Sequence, residues 1–531
     1  MNVVIGGGCG GLMAARKLLE AGHDVVLVEA GEPSENPDDD CSARHWARKV
    51  YNTTRNYFTC EQSGLFHRTV KYPQGEGIGG NANINAMIFS GGSKYIYDNY
   101  WGPEWNSNEF QRLMSEVLGI LDLSVTESYG KAIDILANGA ANGSRSIAET
   151  DPSLLIFDDD NIRGKYLTSF NKNTELRKNM SQILSIKQNN ERKIGKLSVI
   201  YNSTCKFVHL NSDNNRVTGV TIVNNLTQEN ILLDTGAASD VIISAGTIET
   251  PKILYNSNLL TEQRQGDGYT STVQDHVVLP VIFFTFFNWS NKANKVHNSV
   301  HGWINLDPYG SAIHRDGAPA DQIPYIQLLF VDGKIAPDQI PELILPRLNW
   351  RFYAIVIRPI LFAVLKFVTK LWIVHWLCQY ACGFMICLVN PYSVGSITVT
   401  STKTTINPNY LHDERDIALL YAGYQAVLAV MKSALPTSFM LLPGPISMPL
   451  AWFKYYAKLF SSTYYHLCGS CPMNRVVNER LQVYSKSVEG VVTNLRVADA
   501  SVIPRIPTSP IASVCYSIGL KCAEYVLHDK K

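Results

Sequence analysis

The sequence predicts an α/β fold in which two domains are interleaved along the chain. A glycine turn follows the apolar run Val3–Ile5 and precedes a helical pattern, strand-like runs with polar turns fill residues 197–246, and an apolar stretch occupies 352–389. A chain of 531 residues exceeds what one small core requires, so we expect two domains. We therefore predict a Rossmann-like domain interleaved with an α+β domain that carries an apolar helical insert.

Composition excludes several classes of partner and site. The chain has 47 basic and 46 acidic residues and a formal charge of +1, so it carries no electrostatic footprint for nucleic acid. Eleven cysteines are too sparse for a disulfide scaffold in a chain of this length, and we interpret them as mostly free thiols. No metal site is predicted. The first residues already have the pattern of a buried strand, which leaves no room for a removable leader and favours an intracellular protein.

The glycine turn has the pattern of a dinucleotide site. Gly6, Gly8 and Gly11 form G-x-G-x-x-G between an apolar run and a helical pattern, and a second run ends in Glu29. Glycines let the backbone approach a pyrophosphate, whose charge then lies at the helix start. An acidic residue at the end of the second strand can bind both hydroxyls of a ribose. The motif alone does not distinguish NAD from FAD.

Further motifs resemble one family. Residues 73–92 read PQGEGIGGNANINAMIFSGG, SAGTIETPKIL follows at 244–254, and HLCGSCPM and NLRVADASVIPRIP lie near the C-terminus. In this order they resemble the glucose-methanol-choline (GMC) family of FAD oxidoreductases. The resemblance implies an FAD site formed by the following residues: Gly6, Gly8, Gly11, Glu29, Gly79, Gly80, Asn83, Asn85, Ala86, Met87, Cys205 (through its backbone), Asp499 and Ala500. Some members attach FAD through a histidine where this chain has Ile84, so the resemblance implies non-covalent FAD.

The resemblance also implies how the domains divide. Residues 1–277 would be mostly FAD-binding, with the glycine-rich turn at 6–11 and the flavin motif at 73–92. Residues 278–464 would form the substrate domain with the insert at 352–389. Residues 465–531 would complete the FAD domain and carry the catalytic histidine. Within the substrate domain we expect a strand through Ser393, Gly395, Ile397 and Val399, and a helix over Tyr410–Met431.

His466 is the candidate base. A histidine beside tyrosines is often structural, but His466 matches the catalytic histidine of the family, and a neutral imidazole can accept a hydroxyl proton near neutral pH. A second histidine or asparagine of the family falls eleven residues after the aspartate of the Asp-Ala-Ser turn, and this chain has Pro510 there. Proline has no polar side chain. Thr508 and Ser509 are the nearest polar substitutes, and we expect His466 to act as the only base.

The apolar stretch at 352–389 predicts a helical pair. Leu371–Val389 contains no charged residue and is long enough to span a bilayer, yet the chain on both sides of it must fold together. A shallow hairpin that turns at Thr369–Lys370 satisfies both conditions, with Trp372 and Trp376 at the membrane interface. The alternative is a buried helical pair that caps the substrate pocket or forms a dimer contact.

These observations together predict an FAD enzyme that oxidises the CH–OH group of a small hydrophobic alcohol, with His466 as base and O2 or another acceptor reoxidising the flavin. Two alternatives remain open at this point: a redox-neutral lyase on the same scaffold, and a non-catalytic membrane-associated flavoprotein.

Overall fold

A computed structural model defines most of the chain. It describes the following residues: 1–33, 55–125, 157, 162–163, 167–168, 180–186, 194–236, 239–260, 268–286, 299–304, 323–332, 337, 340–341, 345, 348, 353–486 and 489–530.

The described helices and strands alternate along the chain. The helices are α1 Cys9–Glu20, α2 Lys94–Tyr100, α3 Ser107–Leu121, α4 Gly246–Asn256, α5 Arg358–Val368, α6 Trp372–Cys378, α7 Glu414–Ala434, α8 Leu450–Phe460 and α9 Ala512–Asp529. The strands are β1 Asn2–Ile5, β2 Val25–Val28, β3 Asn56–Phe58, β4 Lys71–Pro73, β5 Ile88–Phe89, β6 Ser124–Val125, β7 Ile162–Arg163, β8 Leu167–Thr168, β9 Leu197–Ile200, β10 Ser203–Leu210, β11 Val217–Asn224, β12 Asn230–Asp234, β13 Val241–Ile243, β14 Tyr269–Val273, β15 Val277–Phe284, β16 Ser299–Ile304, β17 Ile326–Asp332, β18 Ala381–Leu388, β19 Gly395–Val399, β20 Thr404–Asn407, β21 Phe439–Leu442, β22 Ser462–Thr463, β23 Gln482–Tyr484 and β24 Val491–Val497.

The first sheet joins both ends of the chain. Its strand order is β23-β24-β13-β1-β2-β9, and every pairing except that of β23 is parallel. β1 is fully buried because apolar side chains cover both of its faces, as is usual in parallel sheets. The strand-like runs that the sequence shows over 197–246 divide between two sheets: β9 and β13 join this parallel sheet, and β10, β11 and β12 form a separate small one.

The second large sheet is antiparallel. It has the order β21-β15-β18-β17-β16-β7, and β22 pairs with β15. Its apolar side chains form a second core cluster with α7 and α8, separate from the cluster around the parallel sheet. The helix predicted over Tyr410–Met431 is α7, which begins at Glu414 because the side chain of Asp413 caps it.

The prediction of a helical pair over the whole of 352–389 is wrong in its second half. A π-turn over Tyr353–Ile357 leads into α5, and α6 ends at Cys378. The remaining apolar residues form β18, a central strand of the antiparallel sheet that is buried on both faces. Among the described residues, no helix has the length and hydropathy required to cross a bilayer.

Candidate active site

The glycine turn forms one end of a large cavity. At Gly6, where φ is +93°, a Cβ atom would lie 2.3 Å from the carbonyl oxygen of Ser244, and at Gly11 it would lie 2.0 Å from that of Gly6. These two glycines therefore allow close backbone packing. Gly8 differs, because a Cβ there would meet nothing within 4 Å, and the residue lines the cavity. The first N–H groups of α1 thus adjoin open space, as a pyrophosphate site requires.

Glu29 holds two glycine loops together at the end of β2. Its Oε2 accepts a hydrogen bond from the N–H of Gly7 at 2.8 Å, and its Oε1 accepts from Gly31 at 2.9 Å and Gly77 at 3.1 Å. Burial raises the pKa of this carboxyl group, and the three amides oppose that shift. Since a carboxylate has about four acceptor positions, about one remains for a ribose hydroxyl.

The flavin motif packs directly on the glycine turn. The N–H of Gly79 donates to the carbonyl of Gly7 at 2.7 Å, and a Cβ on Gly80 would lie 3.0 Å from the Cα of Gly8. The side chain of Asn83 donates to the carbonyl of Ile78 at 2.9 Å, so it stabilises its own turn. The Oδ1 of Asn85 accepts from the N–H of Met87 at 3.0 Å.

Asp499 fixes the turn that follows β13. Its Oδ2 accepts hydrogen bonds from the N–H of Gly246 at 2.8 Å and the hydroxyl of Thr250 at 2.5 Å, and its Oδ1 accepts from the N–H of Ser501 at 2.8 Å. Asp499 thereby connects the C-terminal segment to the turn at 244–246.

Cys205 lies on β10 with 5% of its surface exposed, and burial raises the pKa of its thiol to about 12, so it stays neutral.

One cavity of about 560 Å³ brings most of the predicted residues together. The predicted residues that line it are Gly6, Gly8, Glu29, Gly80, Asn85, Ala86, Met87, Cys205, His466, Asp499 and Ala500. Gly11, Gly79 and Asn83 do not line it. Gly11 packs against the backbone of Gly6, Gly79 packs against the side chains of Asn83 and Met180, and Asn83 bonds its own turn. The open space at Gly8 and the buried carboxylate of Glu29 fit a dinucleotide such as FAD. Ile84 also lines the cavity.

His466 also lines this cavity, beside a second histidine that we did not predict. The Nδ1 atoms of His466 and His276 are 2.9 Å apart, and the ring planes are nearly perpendicular, at 87°. Burial lowers the pKa of His466 well below its ordinary value, with a further contribution from His276. Burial also lowers the pKa of His276, to about 3. Both imidazoles are therefore neutral at pH 7.

A buried carboxylate anchors both histidines. Asp275 Oδ1 accepts hydrogen bonds from the backbone N–H of His276 at 2.8 Å and from the backbone N–H of His466 at 2.9 Å. Its Oδ2 accepts from Thr463 Oγ1 at 2.7 Å and from the hydroxyls of Tyr72 and Tyr410. Burial raises the pKa of Asp275, and these donors oppose the shift. The only local signal for this cluster was an Asp-His pair at the start of an apolar strand.

Pro510 lines the cavity, but its polar neighbours do not. Thr508 Oγ1 accepts from the N–H of Ser93 at 2.9 Å, and Ser509 Oγ donates to the carbonyl of Ser90 at 3.1 Å. Of the three positions, only Pro510 lines the cavity, and the two nearest hydroxyls bond the backbone of residues 90 and 93 instead. Among the described residues, no group of three His, Cys, Asp or Glu side chains could hold a metal ion, and the ten described cysteines are free thiols.

The chain is similar to known proteins over nearly its whole length. Sequence models described as GMC oxidoreductase match residues 2–278 and 391–519. Versicolorin B synthase of Aspergillus parasiticus is 22% identical over 98% of this chain and 87% of its own length. Pyridoxine 4-oxidase from Mesorbium loti has a similar fold, with a TM-score of 0.73, 19% identity and 99% coverage of both chains. A formate oxidase of Aspergillus oryzae RIB40, whose structure concerns modification of its FAD, has a TM-score of 0.72 and 19% identity over 99% of this chain and 98% of its own.

Proposed function

The chain belongs to the GMC oxidoreductase family and its cofactor is FAD, and from this premise we propose that it oxidises the CH–OH group of a small hydrophobic alcohol. The observation that carries the proposal is the position of His466, a half-buried neutral imidazole that lines the same cavity as the glycine turn. When bound, FAD supplies the hydride acceptor at its N5. We propose that O2 or another acceptor reoxidises the flavin.

His466 accepts the hydroxyl proton of the alcohol, and the loss of this proton allows the hydride to leave the carbon. Its Nδ1 faces His276, so Nε2 is the ring nitrogen left for the substrate hydroxyl. As the O–H proton moves to Nε2, electron density on oxygen drives the hydride from the carbon, and the product is a carbonyl compound. Partial burial of the ring lowers the local dielectric, which strengthens its interaction with the developing alkoxide.

Apolar residues in the cavity lining favour a hydrophobic substrate. Leu329, Phe384 and Phe460 contribute apolar surface, and Tyr464 lies with its ring 4.4 Å from that of His466. Apolar walls with few polar groups select ligands by volume and shape. We therefore propose an aliphatic, aromatic or terpenoid alcohol rather than a sugar.

Replacement of His466 by Ala or Gln tests the assignment. Since a general base contributes about 10²–10⁴-fold, anaerobic reduction of the flavin by an alcohol panel should slow by at least about 100-fold while FAD stays bound. His209→Gln is the control, because that half-buried histidine bonds Thr221 and does not line the cavity. Unchanged reduction in His466→Ala would refute the proposal.

Redox-neutral lyase chemistry is the second candidate. Pro510 favours it because the second polar group of the family is missing, and one relative is called a synthase. A lyase would convert substrate anaerobically through many turnovers while the flavin stays oxidised. Bleaching of the flavin by an alcohol contradicts this candidate, and the absence of both bleaching and turnover would instead indicate a non-catalytic flavoprotein.

We also propose that an apolar face of the molecule contacts a membrane surface. The exposed fraction is 58% for Ile360, 68% for Phe367 and 76% for Trp372, and neither α5 nor α6 has a buried residue in the described part of the chain. Large exposed apolar patches mark interaction sites. Trp372 and Trp376 are of the type enriched at membrane interfaces.

A second segment extends this face. Ring contacts lead from Trp376 to Tyr380 at 5.1 Å, from Tyr380 to Phe284 at 6.0 Å, and from Phe284 to Phe439 at 5.1 Å. Beyond Phe439, the exposed fraction is 78% for Ile446 and 68% for Trp452. The face thus combines two segments that are distant in sequence.

Charge complementarity favours a lipid surface as the occupant. Residues 352–389 and 435–465 contain basic side chains but no acidic residue; the basic residues are Arg358, Lys366, Lys370, Lys454 and Lys458. Basic residues beside an exposed apolar surface attract anionic lipid head groups. The helix α8 carries the exposed Trp452 near its start and Phe460, which lines the cavity, at its end, so this one helix connects an exposed apolar side chain with the cavity.

Vesicle flotation tests the membrane proposal. The protein should float with phosphatidylcholine vesicles that contain phosphatidylserine, and the double variant Trp372→Glu/Trp452→Glu should not. Leu232→Glu is the matched control, because Leu232 is 65% exposed on the small sheet, outside this face. The proposal would be overturned if the wild-type protein stayed in the soluble fraction. It would also be overturned if the wild-type protein formed a dimer that did not float and that Trp372→Glu/Trp452→Glu dissociated.

A further inference from the structure

The pairing of His276 with His466 limits which nitrogen of the base carries a proton. The two Nδ1 atoms lie 2.9 Å apart. Because both rings are neutral, one Nδ1 must donate and the other must accept. Only one of the two arrangements leaves a lone pair on His466 Nε2, namely the one in which His466 Nδ1–H donates to His276.

The surroundings of His276 favour that arrangement. If His276 accepts at Nδ1, its own proton lies on Nε2, which is buried and has no partner at hydrogen-bond distance among the described residues. The carbonyl groups of Pro507 and Val389 raise the pKa of His276 and so favour a proton on its ring, against the larger effect of burial. Since Nδ1 of His276 faces His466, we assign the proton that they favour to Nε2. A His276 that donated from Nδ1 would instead leave Nε2 as an unpaired acceptor in this buried position.

Asp275 makes the contact rigid. It accepts the backbone N–H of His276 and of His466 on the same oxygen. The start of β15 and the segment before Leu467 are thus held at one carboxylate, and side-chain hydroxyls hold its other oxygen. The two backbones are therefore held at a fixed separation, and each imidazole can move only by rotation of its own side chain.

We propose that His276 is a positioning residue, which holds His466 in the tautomer with the proton on Nδ1 and directs Nε2 to the substrate hydroxyl. This inference rests on the proposed function, since it concerns the same base. The second polar group of the family would face the substrate from position 510, whereas His276 contacts the far side of the base. A chain with Pro510 can in this way retain a correctly oriented single base.

Three variants test the inference. In His276→Asn, the side-chain oxygen can accept from His466 Nδ1–H near the position of the lost nitrogen, whereas His276→Leu fills the space without an acceptor. We expect His276→Leu to lower the limiting rate of anaerobic flavin reduction by about 100-fold, with a smaller change in the substrate concentration at half saturation. His276→Asn should recover most of the rate. His466→Ala is measured alongside them.

A spectroscopic measurement reports the tautomer directly. Long-range ¹H–¹⁵N correlation spectra of histidine-labelled, FAD-loaded protein, assigned with His466→Ala, should show His466 protonated at Nδ1 in the wild type and in His276→Asn. His276→Leu should shift His466 toward the Nε2–H form. Wild-type protein with His466 protonated at Nε2, or His276→Leu with the wild-type rate and tautomer, would overturn the inference. If His466→Ala keeps full activity, the proposed function fails instead.

Discussion

At the scale of single residues, burial determines the protonation of the site. His466 is neutral because an imidazolium ion would lose hydration in this position. A lowered pKa keeps the base unprotonated at and below neutral pH, but it also makes proton transfer from the alcohol to His466 less favourable. The driving force for this transfer must then come from simultaneous loss of the hydride. The site therefore suits a reaction in which proton and hydride leave together.

The pH dependence of flavin reduction follows from this. Because the pKa of His466 lies well below 6.5, the base is already unprotonated at pH 6.5, and the limiting rate should stay constant from there to about pH 9. The rate should fall only in more acidic solution, as His466 gains a proton. Stopped-flow reduction across this range measures it. A rate that rises steadily above pH 7 would show that another group is the base.

At the scale of secondary structure, the sequence predicted local elements well and long-range contacts poorly. The turn at Gly6–Gly11 was predictable because strand, turn and helix are contiguous. The apolar run Ala381–Leu388 was taken as helix because a strand buried on both faces and a buried helix share the same apolar composition. The contact between His276 and His466 joins residues 190 positions apart, so no local pattern indicated it.

The start of α1 allows a test of the cofactor site at this scale. Gly8→Ala places a methyl group in open space beside the cavity, so the fold should tolerate it while the pyrophosphate is displaced. We expect FAD affinity to fall by at least about tenfold, or about 1.4 kcal/mol.

Gly119→Ala is the matched control for Gly8→Ala. Gly119 lies in α3, and a Cβ there also meets nothing within 4 Å. This variant should bind FAD normally and gain up to about 1 kcal/mol of stability. Fluorescence titration of FAD and thermal melts measure both effects. Equal FAD affinity in the two variants would contradict the phosphate assignment at Gly8.

At the scale of the whole molecule, the cavity joins segments from both ends of the chain. Its lining extends from Ile5 to Cys515 and includes residues of the parallel sheet and of the antiparallel one. The domain boundaries at 277/278 and 464/465 stay a prediction. Since the lining exists only in the folded chain, a ligand in this cavity stabilises the folded state as a whole.

Removal and return of FAD test this dependence. Ile84 has no nucleophilic atom, so acid precipitation should release all of the FAD into the supernatant. The FAD-free protein should melt at a lower temperature, and added FAD at 100 times its Kd should restore about 2.7 kcal/mol. Flavin that stays with the precipitated polypeptide would show a covalent bond from another residue. A melting temperature independent of FAD would show that FAD does not bind preferentially to the folded protein, which would contradict the cofactor site in this cavity.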